Sequence, residues 1–134
     1  MAGPIGIESL DFLYTPSRDV AADVAEFTTV LGGRLVFAIE DSGIRVAMVE
    51  LSSGPPAVLL TDHVEGDRPI LVYRVTDLGV AVAELARRGW TPDRSLEIPP
   101  GPCTSFSTAS GHRIALYQLV RPGVLDHFEG RRDF

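Results

Sequence analysis

The chain contains no lysine; all 12 of its basic side chains are arginines, set against 18 Asp and Glu for a formal net charge of −6. Apart from Arg87-Arg88 and Arg131-Arg132 these arginines are scattered. Affinity for a phosphate backbone comes from clustered Lys and Arg, so nucleic acid is not an expected partner. Cys103 is the one cysteine. It excludes an intramolecular disulfide framework and agrees with a reducing compartment. No window approaches the run of about 18 apolar residues that a membrane span needs, and Met1-Ala2-Gly3-Pro4 lacks the basic and apolar regions of a secretory leader. A cytoplasmic protein with no membrane partner is expected. Neither Gly3-Pro4-Ile5-Gly6 nor Gly101-Pro102 has the lysine or following helix of a phosphate loop. A serine nucleophile elbow and a His-Glu-x-x-His zinc pattern are also missing.

What is present is one domain's worth of ordinary globular sequence, 134 residues with 45% hydrophobic and 22% charged content. It repeats itself once. Leu10-Asp11-Phe12-Leu13-Tyr14, Asp19-Val20-Ala21-Ala22 and Gly33 recur as Ile70-Leu71-Val72-Tyr73, Asp77-Leu78-Gly79-Val80 and Gly89. Ile70 stands 58 positions after Phe12, Asp77 58 after Asp19 and Gly89 56 after Gly33. That period exceeds a solenoid unit of roughly 20 to 50 residues and fits a duplicated module.

Each copy reads β-α-β-β-β. Residues 8–15 alternate as a strand with Leu10, Phe12 and Tyr14 on one face. Asp19 then caps a helix whose apolar stripe is Val20, Val24, Phe27 and Leu31, ended by Gly32-Gly33. Strands follow at 34–40, 44–51 and 57–61, with Asp41-Ser42-Gly43 as a hairpin turn and Ser52-Ser53-Gly54-Pro55-Pro56 as a longer break. After a polar connector from Asp62 to Arg68 the order restarts with a strand at 69–75. A helix capped by Asp77 comes next, with the stripe Leu78, Ala81, Val82 and Leu85. Strands near 94–98, 103–108 and 112–119 complete the second copy. The charged stretch from Arg121 to Phe134 reads as a surface extension with a helical turn at 124–128.

Two such modules carrying Leu10-Asp11-Phe12, Ser17-Arg18-Asp19-Val20, Phe27-Thr28-Thr29-Val30-Leu31-Gly32 and Ser110-Gly111-His112-Arg113-Ile114-Ala115-Leu116-Tyr117-Gln118 resemble the vicinal oxygen chelate superfamily. That group includes glyoxalases, extradiol dioxygenases, fosfomycin-modifying enzymes and bleomycin-resistance proteins. The resemblance runs from about residue 7 to 120. It implies an α+β fold of two tandem βαβββ modules, about 7–62 and 69–120, that form a cupped half-barrel mixed sheet with helices on the outer face. Residues 121–134 are a tail on this single domain. In metal-dependent members each module gives one ligand from its first strand and one from its last. By motif position these fall on Phe12, Leu59, Ile70 and Ala115, whose benzyl and aliphatic side chains offer no lone pair. No metal, cofactor or catalytic residue is therefore expected. His63 beside Asp62 reads as a solvated loop histidine, His112 as a turn residue and His127 as part of the charged tail. Cys103 reads as a small core hydrophobe, since no base or positive neighbour is visible to activate it.

The inward face then holds Leu10, Phe12, Tyr14, Leu59, Thr61, Ile70, Val72, Arg74, Arg113, Ala115 and Tyr117, with Met48 and Glu50 as additions. Apolar walls with a few hydroxyls and guanidinium groups are the usual make-up of a small-molecule pocket. The leading expectation is a metal-independent binder of a small, partly apolar ligand, of the bleomycin-resistance type. In it Tyr14 and Tyr117 supply aromatic surface and Arg74 an anchor for an oxygen. Phe12, Leu59, Thr61, Ile70, Arg113 and Ala115 complete the expected lining. Two other readings stay open. One is a lyase, isomerase or dioxygenase of the same superfamily with an atypical site using Glu50 or Tyr14 as acid or base. The other is a structural domain whose cup is filled by its own side chains. A homodimer is expected, because members of similar length pair and a concave apolar sheet face invites cover.

Overall fold

The computed structural model describes residues 4–134. Its strands are β1 (Ile7–Pro16), β2 (Arg34–Asp41), β3 (Ile44–Glu50), β4 (Ala57–Thr61), β5 (Ile70–Val75), β6 (Arg94–Ile98), β7 (Gly101–Ser107) and β8 (Arg113–Tyr117). Helix α1 (Val20–Ala25) follows β1, and α2 (Leu78–Arg87) follows β5. The order is the twice-repeated β-α-β-β-β of the sequence, in one mixed sheet ordered β2-β3-β4-β1-β5-β8-β7-β6. By contact density the chain forms two compact units. One holds the described residues up to Leu10 together with Ile70–Leu125; the other is Asp11–Pro69 with Asp126–Phe134.

In the unit that holds Asp11–Pro69, β1 runs parallel to β4, with Tyr14 opposite Leu59, and β4 antiparallel to β3, with Leu59 opposite Met48. The turn from β2 to β3 takes Ser42 and Gly43 at φ 54° and 78°. Two successive positive φ values are what a two-residue hairpin of the right-handed sheet twist requires. Asp19 accepts from the Ala22 N–H at 3.0 Å and caps α1. Val20 and Val24 bury against Ala38, Ala47, Val49, Val58 and Leu60, so this core lies between helix and sheet. Gly33 is required where it stands. A Cβ there would come within 2.7 Å of Val49 and 2.8 Å of Leu51.

The expected helix stripe fails at its end. From Glu26 to Val30 the backbone is a π-helical turn, and Leu31 is 59% exposed instead of buried. A π turn takes more residues per revolution, so a side chain placed by 3.6-residue spacing rotates off the core face. Thr28 and Thr29 support the wider turn by donating hydroxyls to the Val24 and Ala25 carbonyls at 2.8 and 2.5 Å.

The other unit repeats the scheme. Asp77 accepts from the Val80 N–H at 3.0 Å, and α2 packs Leu78 and Ala81 on Val75, Phe106 and Leu116, with Trp90 beside Phe106. Strand β5 runs parallel to β8, pairing Ile70 with Arg113, Val72 with Ala115 and Arg74 with Tyr117. Gly6 and Glu8 belong here too, accepting from the Thr76 backbone and hydroxyl. Glu84 is buried on α2 although the sequence pattern gave it no place there. Arg87 and Arg88 neutralise it at 2.9 and 3.3 Å, which is how a charge tolerates burial.

Residues 126–134, within the stretch read from sequence as a surface extension, are mostly exposed and make backbone pairings. They lie along the outer edge of β2: the Gly130 N–H donates to the Val36 carbonyl, the Ala38 N–H to Arg131, and the Asp133 N–H to Ala38, at 2.8, 2.9 and 2.7 Å. Phe128 stacks near Phe37 at 5.8 Å, and Phe134 packs on the core with the Arg45 guanidinium 4.5 Å from its ring centroid. An unpaired strand edge presents open N–H and C=O groups, and this segment satisfies them. The helical turn expected at 124–128 is found as a 3-10 turn, Val124–Phe128.

Candidate functional site

Because side chains alternate across a strand, the parity that sends Leu13, Val58 and Leu60 to the helix sends their neighbours to the other face. In the Asp11–Pro69 unit the paired positions form cross-strand rows on that helix-free face. Phe12 lies beside Ala57; Tyr14 beside Leu59, Met48 and then Phe37; Thr61 beside Val46. The inward set Phe12, Tyr14, Leu59 and Thr61, with Met48, thus shares one surface. It is mostly apolar. At its Phe12 end lies an open cavity of about 240 Å³ bordered by Asp11, Phe12, Glu50, Ser53, Gly54, Pro55 and Ala57. Glu50 is held there by an ion pair with Arg34, which also meets Glu129 at 2.9 Å.

Two residues along the face from Phe12, about 7 Å by strand geometry, Tyr14 enters a polar chain. Its Oη lies 3.1 Å from His63 Nε2, and His63 Nδ1 lies 2.6 Å from the Thr61 hydroxyl oxygen. The Tyr14 and His63 rings meet edge to face with centroids 5.6 Å apart. Thr61 is wholly buried at 0% exposure, whereas the imidazole is exposed. Burial pushes the Tyr14 phenol above its usual pKa, with a hydrogen bond to Thr61 opposing the rise, so the neutral phenol is favoured. His63 is the functional candidate that sequence reasoning passed over as a solvated loop residue. Its link to Tyr14 depends on the parallel pairing of β1 with β4, which brings residue 63 beside residue 14 across 49 positions of chain.

In the other unit the inward set is again on one face, with Ile70 beside Arg113, Val72 beside Ala115, and Arg74 beside Tyr117 and Cys103. Tyr117 and Ala115 are buried, at 2% and 4% exposure, and Val72 at 7%. Arg74 pairs with Glu8 at 3.1 Å. Arg113, Arg74 and Ile70 are half-buried. Cys103 is buried and free, its thiol pushed up to about 11 by burial alone; such a group is not a nucleophile near neutral pH.

The positions that would hold a divalent ion do not fit one. Phe12 and Leu59 share a face in one unit, Ile70 and Ala115 in the other, and all four carry hydrocarbon. Among the described residues no three or more His, Cys, Asp or Glu gather in metal-holding geometry.

No protein-family model matches the chain, and no curated protein matches its sequence. Solved structures do match. A methylmalonyl-CoA epimerase from Mycobacterium tuberculosis is similar at a TM-score of 0.66 and 19% identity, over 84% of this chain and 87% of that one. A Streptomyces coelicolor methylmalonyl-CoA epimerase variant in complex with 2-nitronate-propionyl-CoA reaches a TM-score of 0.70 at 15% identity, over 87% and 97% of the two chains. A methylmalonyl-CoA epimerase in complex with methylmalonyl-CoA and NH4+ gives 0.69 at 15% identity, over 87% and 97%. Likeness at this identity establishes the fold: the chain has the α+β fold of the vicinal oxygen chelate superfamily that its repeat and motifs imply. Among the described residues no helix is long and apolar enough to cross a membrane.

Proposed function

We propose that the protein binds a small, partly apolar molecule on the helix-free face of its Asp11–Pro69 unit, without a protein-held metal. The observation that carries this reading is the cavity of about 240 Å³ bordered by Phe12 and Ala57, whose cross-strand row is next to that of Tyr14, Leu59 and Met48 on the same face. A mostly apolar concavity with a few fixed polar groups is how proteins hold small ligands. The solved structures of this fold in complex with CoA esters support a small-molecule role. Sequestration, transport or sensing follows from binding alone. A single buried, free cysteine suits the reducing, cytoplasmic setting proposed for it.

A second reading, an enzyme of isomerase, lyase or oxygenase type, is favoured by one observation: two acidic residues, Asp11 and Glu50, are among those that border the same cavity. Acid-base work needs such groups within hydrogen-bond reach of a bound substrate. A thermal-shift screen of acyl-CoA thioesters, free carboxylic acids and aromatic ketones tests the binding reading. A ligand at 100 times its Kd stabilises the fold by about 2.7 kcal/mol, a shift of several degrees. Ala57→Leu, which fills the cavity, should abolish the shift. A panel in which nothing raises Tm refutes binding. A compound that binds and is returned chemically changed selects the enzyme instead, and Glu50→Gln should then lower the turnover.

A further inference from the structure

Resting on that binding reading, we infer that Glu50 is the specificity-determining residue of the cavity and selects a ligand that carries a protonated nitrogen on a compact apolar body. The argument starts from one cross-strand row. Phe12 on β1 lies beside Ala57 on β4, and Glu50 on β3 lies beside Arg34 on β2. The register that sets Val49 opposite Val58 brings Glu50 to the level of Ala57 one position further on. Neighbouring strands stand about 4.8 Å apart, so two such steps separate the backbones of Phe12 and Glu50. Only the methyl group of Ala57 lies between them in the row. Its small size leaves room there, and all three residues border the cavity of about 240 Å³. Pockets for drug-sized ligands hold about 300 to 1,000 Å³; a single ring suits this one.

A shared cation fixes the carboxylate. Arg34 donates through Nη2 to Glu50 Oε1 and through Nη1 to Glu129 Oε1, the latter at 2.9 Å. One guanidinium between two carboxylates leaves the group negative. Arg34 therefore has no excess positive charge to offer an anion, although with Glu50 it also borders the second open cavity, of about 480 Å³. A carboxylate accepts in about four lone-pair directions over its two oxygens, and the bond from Arg34 is made at Oε1. Glu50 thus keeps acceptor capacity. Its side chain is 30% exposed, against 59% for Arg34 and 51% for Glu129, and charge-assisted hydrogen bonds strengthen as water is withdrawn. No Arg or His borders the smaller cavity, whose other acidic neighbour is Asp11.

A carboxylate on one side of Ala57 and a benzyl group on the other define the ligand. Its positively charged N–H group meets Glu50, and its apolar body covers Ala57 against Phe12. A carboxylate ligand of the same size would meet like charge. The inference thus adds to the binding reading the sign of the ligand's charge and the residue that reads it.

Three probes with one apolar body test it: 4-acetylbenzylamine, protonated at pH 7; acetophenone, neutral; and 4-acetylbenzoate, anionic. Calorimetry on the unaltered protein is done in about 0.15 M salt, where exposed charges more than about 8 Å apart are largely screened. The affinities should fall in that order, the amine at least about tenfold tighter than the ketone. Glu50→Gln keeps the shape and removes the charge. It should weaken the amine by about tenfold or more and change acetophenone by less than about twofold. Asp67→Asn removes the same unit of charge from an exposed position that does not border the cavity, and should leave the ranking as it was. Equal affinities or an anion preference in the unaltered protein overturn the inference and leave the binding reading intact. So does an amine preference that survives Glu50→Gln, or one that Asp67→Asn removes. Failure of all three probes overturns the inference; joined with an empty thermal-shift screen, it overturns the binding reading as well.

Discussion

Removing the ring of Phe134 tests whether residues 126–134 are part of the fold. The ring is half-buried against the cluster of Val20, Val24, Ala38, Ala47, Val49, Val58 and Leu60. Truncating a fully buried phenylalanine to alanine costs about 3 to 5 kcal/mol. Half burial brings the expectation for Phe134→Ala to about 1.5 to 2.5 kcal/mol, of which about 0.5 to 1 is the contact with the Arg45 guanidinium. Urea unfolding of both proteins measures the total. A double-mutant cycle with Arg45→Ala isolates the ring–guanidinium part, which matters because Arg45 also faces Glu40 at 3.5 Å. Hydrogen exchange supplies the location. The Ala38 and Glu40 amides donate to the Arg131 carbonyl and the Asp133 carboxylate at 2.9 Å. Their exchange should quicken by between about tenfold and sixtyfold in Phe134→Ala, while the Leu60 amide in the core follows global stability alone. A loss below about 0.5 kcal/mol with unchanged exchange at Ala38 and Glu40 would refute the docked arrangement.

Cys103 should react with an aromatic disulfide reagent at pH 8 only as fast as the protein opens, and immediately in urea. Its thiol rises from an ordinary 9.0 to about 11 in the fold. Below pH 9 it is protonated in both states; between about 9 and 11 only the unfolded chain ionises it. Stability should therefore fall across that window, and Cys103→Ala should flatten the fall. Light scattering after size exclusion is expected to give a homodimer, twice the 14.5 kDa of one chain; a concentration-independent monomer contradicts this. Elemental analysis of the purified protein should find no stoichiometric divalent metal, given hydrocarbon at Phe12, Leu59, Ile70 and Ala115. Near one metal per chain, lost with stability on chelation, overturns that expectation.

Features set by neighbouring residues were legible in the sequence. Asp19 and Asp77 cap their helices by bonds three residues long, and Ser42-Gly43 makes its turn from its own backbone preferences. Strand alternation put Phe12, Tyr14, Leu59 and Thr61 on one face because a period of two leaves only two choices. Features made by distant pairing were not legible. Nothing in Asp62-His63-Val64 reveals that an imidazole there will meet a phenol on β1. Likewise, the charges of Glu129, Arg131 and Asp133 suggest solvent, while their backbone groups complete a strand edge. Glu84 and the π turn at Glu26–Val30 show the same limit inside helices. There, partners and hydroxyl back-bonds override the 3.6-residue pattern.

The duplicated halves are not interchangeable parts, because each has lent residues to the other's unit. Strand β1 begins in one unit and ends in the other, and residues 126–134 return to the unit that holds residues 11–69. A gene divided in the connector after Asp62 would give two fragments, each missing a piece of its own interior. The first would lack Phe134; the second would lack Ile5 and the Gly6 carbonyl that receives the Thr76 N–H. Such fragments make a poor pair of independent proteins but a good split reporter, silent apart and regaining structure when fused partners bring them together.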